Sequence, residues 1–241
     1  MRNFFKYLLG ILFWLVVFQT LSIMVDRTYI FPSPMQIIQA MLGLLETKEF
    51  YYSVASTMLR VVFGIICSFL FGVVSVFLAY VFPLLRGQFG GLVAILKSTP
   101  VLAIILYLVL WMPSSKVPVF VCFLMCYPVV YTNLLAGLDA MNSEFLEMCK
   151  VYHIGLRQRI TKLYYPDLKP HIKSAMSLVS GLSWKTVVAG EVISIPHYSM
   201  GYHLMDSKIY FETAEMFAWI TMIVVLSVCF EKGIKVVLRW I

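Results

Sequence analysis

Charge is what this chain has least of. Only 13% of its 241 residues are Asp, Glu, Lys or Arg, about half the share of an ordinary soluble domain. By contrast, 61% are hydrophobic and the mean hydropathy is +0.88. A core of this length cannot take that much apolar surface out of water. A soluble fold is excluded, and an integral membrane protein is left. The sequence also lacks a GxxxxGK[ST] loop, so it has no phosphate cradle of the usual kind for ATP. Cys67, Cys122, Cys126, Cys149 and Cys229 form no CxxC pair. Most of them fall in apolar runs, where a thiol is a small hydrophobe. His153, His171, His197 and His203 are widely separated, and there is neither a carboxylate pair nor a nucleophile motif. The expectation is a chain with no catalytic residues, no metal site and no cofactor, which is not an enzyme.

The formal net charge is +7, from 19 Lys and Arg against 12 Asp and Glu. In a membrane protein such an excess sits in cytoplasmic loops and sets orientation, so it does not point to nucleic acid. The apolar runs predict an all-α protein, a single membrane domain with six spans at about 7–25, 54–82, 92–111, 117–138, 174–195 and 214–230. With those spans, Arg27, Lys48, Lys116 and Lys208 fall outside, and Arg60 and Lys185 lie within spans. The other thirteen cations fall inside. That asymmetry places both termini in the cytoplasm.

Local signals refine the picture. Phe31-Pro32-Ser33-Pro34 predicts an extended entry, with Ser33 capping a short helix that has Pro34 at its first position and lies along the outer interface. Gly64, Ser68, Gly72, Ser75 and Ala79 make a stripe of small residues in the second span, the pattern that lets membrane helices approach closely. Pro83 ends that span. Pro100 predicts a kink in the third, and Pro128 lies inside the fourth. His197 to Glu212 reads as an outer loop, and Lys232, Lys235 and Arg239 as a basic tail.

One long segment, 143–170, is far richer in charge than the chain as a whole, with eight of its 28 residues Asp, Glu, Lys or Arg. From Ser143, read as an N-cap, Phe145, Met148, Cys149 and Tyr152 recur at helical spacing, with Glu144, Glu147 and Lys150 opposite. Gly155 offers a break, and a second stripe follows at Leu156, Ile160, Leu163 and Tyr164. Pro166 and Pro170 are expected to stop that helix and return the chain to the membrane. Two short amphipathic helices too polar to span must lie on lipid headgroups or dock into a partner.

The segment resembles the EAA motif, EAA-x3-G-x9-I-x-L-P, of permease subunits of bacterial ABC importers. Glu147 matches the glutamate, and Pro166 matches the terminal proline in register, with Leu163 at the isoleucine. Met148 and Cys149 replace the alanines, His153 the glycine and Tyr165 the leucine, so the bend is expected at His153 or two residues on at Gly155. FPSP, SWKTVVAGEVIS at Ser183 to Ser194, Met200-Gly201-Tyr202 and ETAEMFAW at Glu212 to Trp219 are similar to the nitrate, sulfonate and taurine branch of these permeases.

The resemblance implies a type I importer permease, multi-pass in a bacterial inner membrane. Its partners would be ATP-binding-cassette ATPase subunits, a second permease subunit and an extracytoplasmic substrate-binding protein. Segment 143–170 would be the coupling helix that docks on the ATPase, through Glu147, Lys150, His153, Gly155, Arg157 and Pro166. The implied cargo is a small anion such as a sulfonate, taurine or nitrate, with a thiamine precursor or other heterocycle as the alternative. An ion-coupled secondary transporter is the other class, and it would need titratable sites in the spans.

Charge inside a bilayer is a functional signal by default. Arg60 lies less than two turns into its span and is expected to reach back to the outer surface. Lys185 and Glu191, six positions apart, fall on different faces of one helix. These three are the candidates for a translocation path.

Overall fold

The computed structural model describes residues 2–25 and 30–240. Arg27, counted above among the outer cations, lies outside the described residues, as do the side chains of Arg2, Lys6, Ser143 and Lys150. Among the described residues every regular element is helical. These are α1 (Arg2–Val25), α2 (Pro34–Glu46), α3 (Lys48–Val81), α4 (Pro83–Ser98), α5 (Val101–Trp111), α6 (Val117–Asp139), α7 (Ser143–Val151), α8 (Leu156–Arg159), a π-helical stretch (Ile160–Tyr164), α9 (Tyr165–Ser194), α10 (Met200–Ile209) and α11 (Thr213–Trp240). By length and composition α3, α6 and α11 can each cross a membrane, and α4 with α5 forms a fourth, bent candidate. The chain folds as two compact units, Met1–Thr57 with Ile195–Leu226, and Met58–Ser194 with Ser227–Ile241.

In the larger unit, α6 and α9 form the principal packed pair. They approach closely because small residues line the contact. A Cβ placed on Gly190 would stand 2.9 Å from the Pro118 Cα, a backbone atom that cannot give way. The small stripe of α3 works in the same manner. A Cβ on Gly64 would meet the Cys122 sulfur at 2.5 Å, and one on Gly72 would meet Val130 at 2.5 Å. Ser68 and Ser75 sit in that stripe without stranding a hydroxyl, since each donates to its own helix, to Gly64 O at 2.6 Å and Phe71 O at 2.7 Å. The expected close packing is therefore present, with α6 as the partner.

Pro100 does more than kink a span. The third apolar run is two helices, α4 and α5, set at 102° across Thr99-Pro100. Proline lacks the amide that would continue the helix, and it pushes Thr99 into an extended conformation (φ −79°, ψ 129°). Pro83, expected only as a stop, also starts α4 at its first turn.

In the smaller unit, α2 starts as expected. Ser33 accepts the Gln36 amide and the Gln36 side chain accepts the Ser33 amide, a reciprocal capping box. Phe18, Phe31 and Phe217 cluster with ring centroids 4.5 to 6.0 Å apart. The segment expected to be an outer loop holds a helix, α10. Its start is fixed by Ser199, whose hydroxyl accepts the Tyr202 amide, and by Thr57, which accepts the Met200 amide at 3.1 Å. His203 of α10 stacks on Trp219 at 4.7 Å with the rings 5° from parallel, and its Nε2 lies 2.9 Å from the Ser53 hydroxyl. Burial lowers the pKa of His203 from its ordinary value, with the charges of Glu49 and Asp206 opposing. Ile195, Tyr198 and Phe211, which flank α10, all have φ between 50° and 59°. The expected basic tail is helical too, as the continuation of α11, with Lys235 paired to Glu231 one turn back.

Candidate functional site

The segment 143–170 is built from the ends of its helices. At the start of α7 the Asn142 side-chain oxygen accepts the Glu144 amide at 2.8 Å. Glu144 in the first turn adds a favourable charge against the helix dipole. At the other end, the Tyr152 amide bonds to Met148 O and the Ile154 amide reaches back to Cys149 O, both at 3.0 Å. That six-to-one bond defines a Schellman stop, which needs a left-handed residue just before its donor. The residue there is His153, with φ 50°. The bend is therefore at His153, the motif's glycine position, and has not moved to Gly155. Gly155 instead opens α8, its carbonyl accepting the Arg159 amide at 3.0 Å.

Pro166 and Pro170 do not stop the second helix, contrary to expectation. The chain runs from α8 through the π-helical stretch into α9 with Pro166 in the first turn of α9 and Pro170 inside it. The wide turn ahead of Pro166, closed by the Tyr165 amide on Ile160 O, resets the ladder where proline has no amide to give.

Of the apolar stripe on α7, Cys149 alone turns inward, at 5% exposure, whereas Phe145, Met148 and Tyr152 remain exposed. Phe145, Met148, Cys149 and Ile154 on one side, with Gln158, Arg159, Lys162, Leu163 and Asp167 on the other, enclose a hollow of about 430 Å³. Glu147, His153, Gly155, Arg157 and Pro166 are all exposed, and none of them lines the hollow. Behind it, Tyr164 lies against Tyr80 with ring centroids 6.2 Å apart. Burial, and then the hydrogen bond and charge of Tyr80, push the Tyr164 hydroxyl up to about 12, with Arg159 opposing. It therefore stays protonated and uncharged. Arg159 itself was missed by sequence reading. Its Nε donates to Ile154 O at 2.8 Å and its Nη2 to Cys149 O at 2.9 Å.

The remaining candidates separate. Lys185 is exposed on α9, whereas Glu191 is completely buried, so the two are not brought together. Arg60 does not follow its expected course to the outer surface. Its Nη1 donates to Glu191 Oε1 at 2.6 Å, with the two side chains 11% and 0% exposed. A buried carboxylate needs a compensating charge, and this arginine, 131 positions away in sequence, supplies it. Arg86 and Asp139 make a second pair at 2.6 Å, both well exposed. No three His, Cys, Asp or Glu side chains gather as a metal site among the described residues.

The family model for the binding-protein-dependent transport system inner membrane component matches residues 71–231. The chain belongs to this family. Within the transport-component match lie the whole of segment 143–170, Lys185 and Glu191, while Arg60 precedes it. The taurine transport system permease protein of Escherichia coli (strain K12) is 20% identical over 86% of this chain and 78% of its own length. The formylaminopyrimidine transport permease protein of Halalkalibacterium halodurans is 24% identical over 92% and 88%. A putative aliphatic sulfonates transport permease protein of Bacillus subtilis (strain 168) is 24% identical over 60% of this chain, which spans 52% of that relative.

Proposed function

We propose that this chain is the membrane-spanning subunit of an ATP-driven importer and that α7 with the hollow beside it is the dock for a separate ATPase. The membership of the transport-component family supports the role of permease for a small solute. The observation that carries the docking assignment is the uncovered apolar face of α7, in a chain with no phosphate loop of its own. Work must then arrive by contact. When two ATPase subunits close on ATP, docked α7 helices are carried with them, and the helices continuous with the dock move too, a two-state element biased from elsewhere.

The topology that goes with this reading has six spans, both termini and segment 143–170 in the cytoplasm, and a second permease subunit beside the first in a bacterial inner membrane. A binding protein delivers the solute on the outer side. The names of the relatives point to a small polar solute, such as a sulfonate or taurine, with a pyrimidine-type heterocycle as the second candidate. Arg60 and Glu191 form a neutral pair, so on the proposed path Lys185 is the residue suited to meet an anion. The same pairing argues against an ion-coupled transporter, because the deeply placed carboxylate is committed to an arginine.

Co-expression of the tagged chain with its genomic neighbours should co-purify an ATPase whose turnover responds to a binding protein. Glu147→Ala and Gly155→Pro should each lower ATPase retention while membrane insertion persists. Uptake by the chain alone, indifferent to loss of any ATPase, would sink the reading.

A further inference from the structure

We infer that Arg159 is a positioning residue for α7: its guanidinium clamps the left-handed turn at His153 and fixes the angle at which α7 leaves the membrane-continuous helix. This rests on the docking role proposed for α7.

The turn at 152–155 has a steric cost built in. A residue with a Cβ at φ 50° is unfavourable where glycine is not, and His153 holds that conformation. It is exposed, so packing does not hold it there. Two carbonyls face the turn from either side of His153, those of Cys149 and Ile154. The Cys149 carbonyl already accepts the Ile154 amide. Arg159 binds both with one edge of its guanidinium, Nε on Ile154 at 2.8 Å and Nη2 on Cys149 at 2.9 Å. A planar fork presents two fixed, parallel donors to these carbonyls, whereas an ammonium carries its three donors on one nitrogen and cannot reproduce that two-atom reach.

The position of Arg159 gives the clamp its reach. Its own amide bonds to Gly155 O, and the helix runs on from it through the π-helical stretch into α9. A cation at the carbonyl end of α7 also complements the helix dipole. One side chain thus joins the last turn of α7 to the first turn of the long helix. The half-buried guanidinium also forms part of the wall of the hollow, so the shape of the dock depends on it.

The test uses the full chain in nanodiscs with whatever ATPase it retains. Amide hydrogen exchange of a peptide covering Met148 to Leu156 reads the turn directly. Arg159→Ala should speed exchange there roughly tenfold, the scale of losing charge-assisted bonds. Arg159→Lys should behave like Arg159→Ala. Adding His153→Gly to Arg159→Ala should restore slow exchange, because glycine removes the cost that the clamp offsets. ATPase retention should fall at least fivefold in both single variants and recover in the double variant.

Unchanged exchange in Arg159→Ala, or full protection in Arg159→Lys, overturns the clamp. Retention that stays low in the double variant although exchange has recovered makes Arg159 a direct contact and overturns its positioning role. If the unmodified chain retains no ATPase, the docking assignment fails, and the exchange arm still judges the clamp.

Discussion

Two ion pairs in the larger unit have the same length and opposite surroundings. Arg60–Glu191 and Arg86–Asp139 both close at 2.6 Å, but the first is 11% and 0% exposed and the second 47% and 43%. Distance therefore says little about what either contributes. In the exposed pair water and salt screen both charges, and two long side chains lose freedom to meet. In the buried pair neither charge has another solvent to fall back on, so each partner is the condition for burying the other. The buried pair ties α3 to α9 beside the tight Gly190–Pro118 contact, while the exposed pair joins helix ends.

The comparison breaks most visibly if one buried partner is removed. Glu191→Ala takes a carboxylate away from a buried guanidinium and should cost about 3–5 kcal/mol, read as a large fall in the unfolding temperature of the chain in nanodiscs. Arg60→Met with Glu191→Leu should regain most of that loss. A double variant no more stable than the single one would show that the pair itself, rather than the charge left behind, carries the effect.

His203 sharpens the contrast with a group that is half-buried and titratable. Its pKa is held below the ordinary histidine value by burial, with the ring stacked on Trp219. The folded state then binds fewer protons than the unfolded chain. Stability should be complete above about pH 6.5 and fall as the pH drops through the lower folded value. His203→Gln should flatten that slope, and an unchanged slope would remove His203 as its source.

The smallest effect is expected at the exposed pair. Arg86→Ala or Asp139→Ala should change stability by no more than about 1 kcal/mol, and the change should shrink in high salt. A loss as large as that of Glu191→Ala would erase the distinction.

Sequence reading succeeded where the physics is local. Ser33-Pro34, the stop at Pro83 and the small stripe of α3 follow from φ restriction, missing amides and side-chain size. It failed where a partner lies far away or where context overrides preference. Nothing near Arg60 announces Glu191. Pro166 and Pro170 carry the usual signs of helix termination, yet a π-helical turn carries the helix through them. His197 to Glu212 was expected as an outer loop, yet it holds a helix whose start is capped by Ser199. For the candidate site, the bend at His153 was one of the two positions expected from the motif. Arg159 was not legible, because a side chain folded onto backbone carbonyls reads in sequence as one more surface cation.

The π-helical stretch at Ile160–Tyr164 also sets a phase. It accommodates one residue more per turn than an α-helix would, and each residue of an α-helix advances the side chains by about 100°. The segment proposed as the dock and the face that presents Glu191 to Arg60 are therefore aligned across a surplus of one residue. Deleting a single residue there would let the helix close as a regular α-helix. Either the dock or the buried acid would then have to turn by about 100°. The stretch behaves as a phase adjuster between two ends of one helix, and its length is fixed by both.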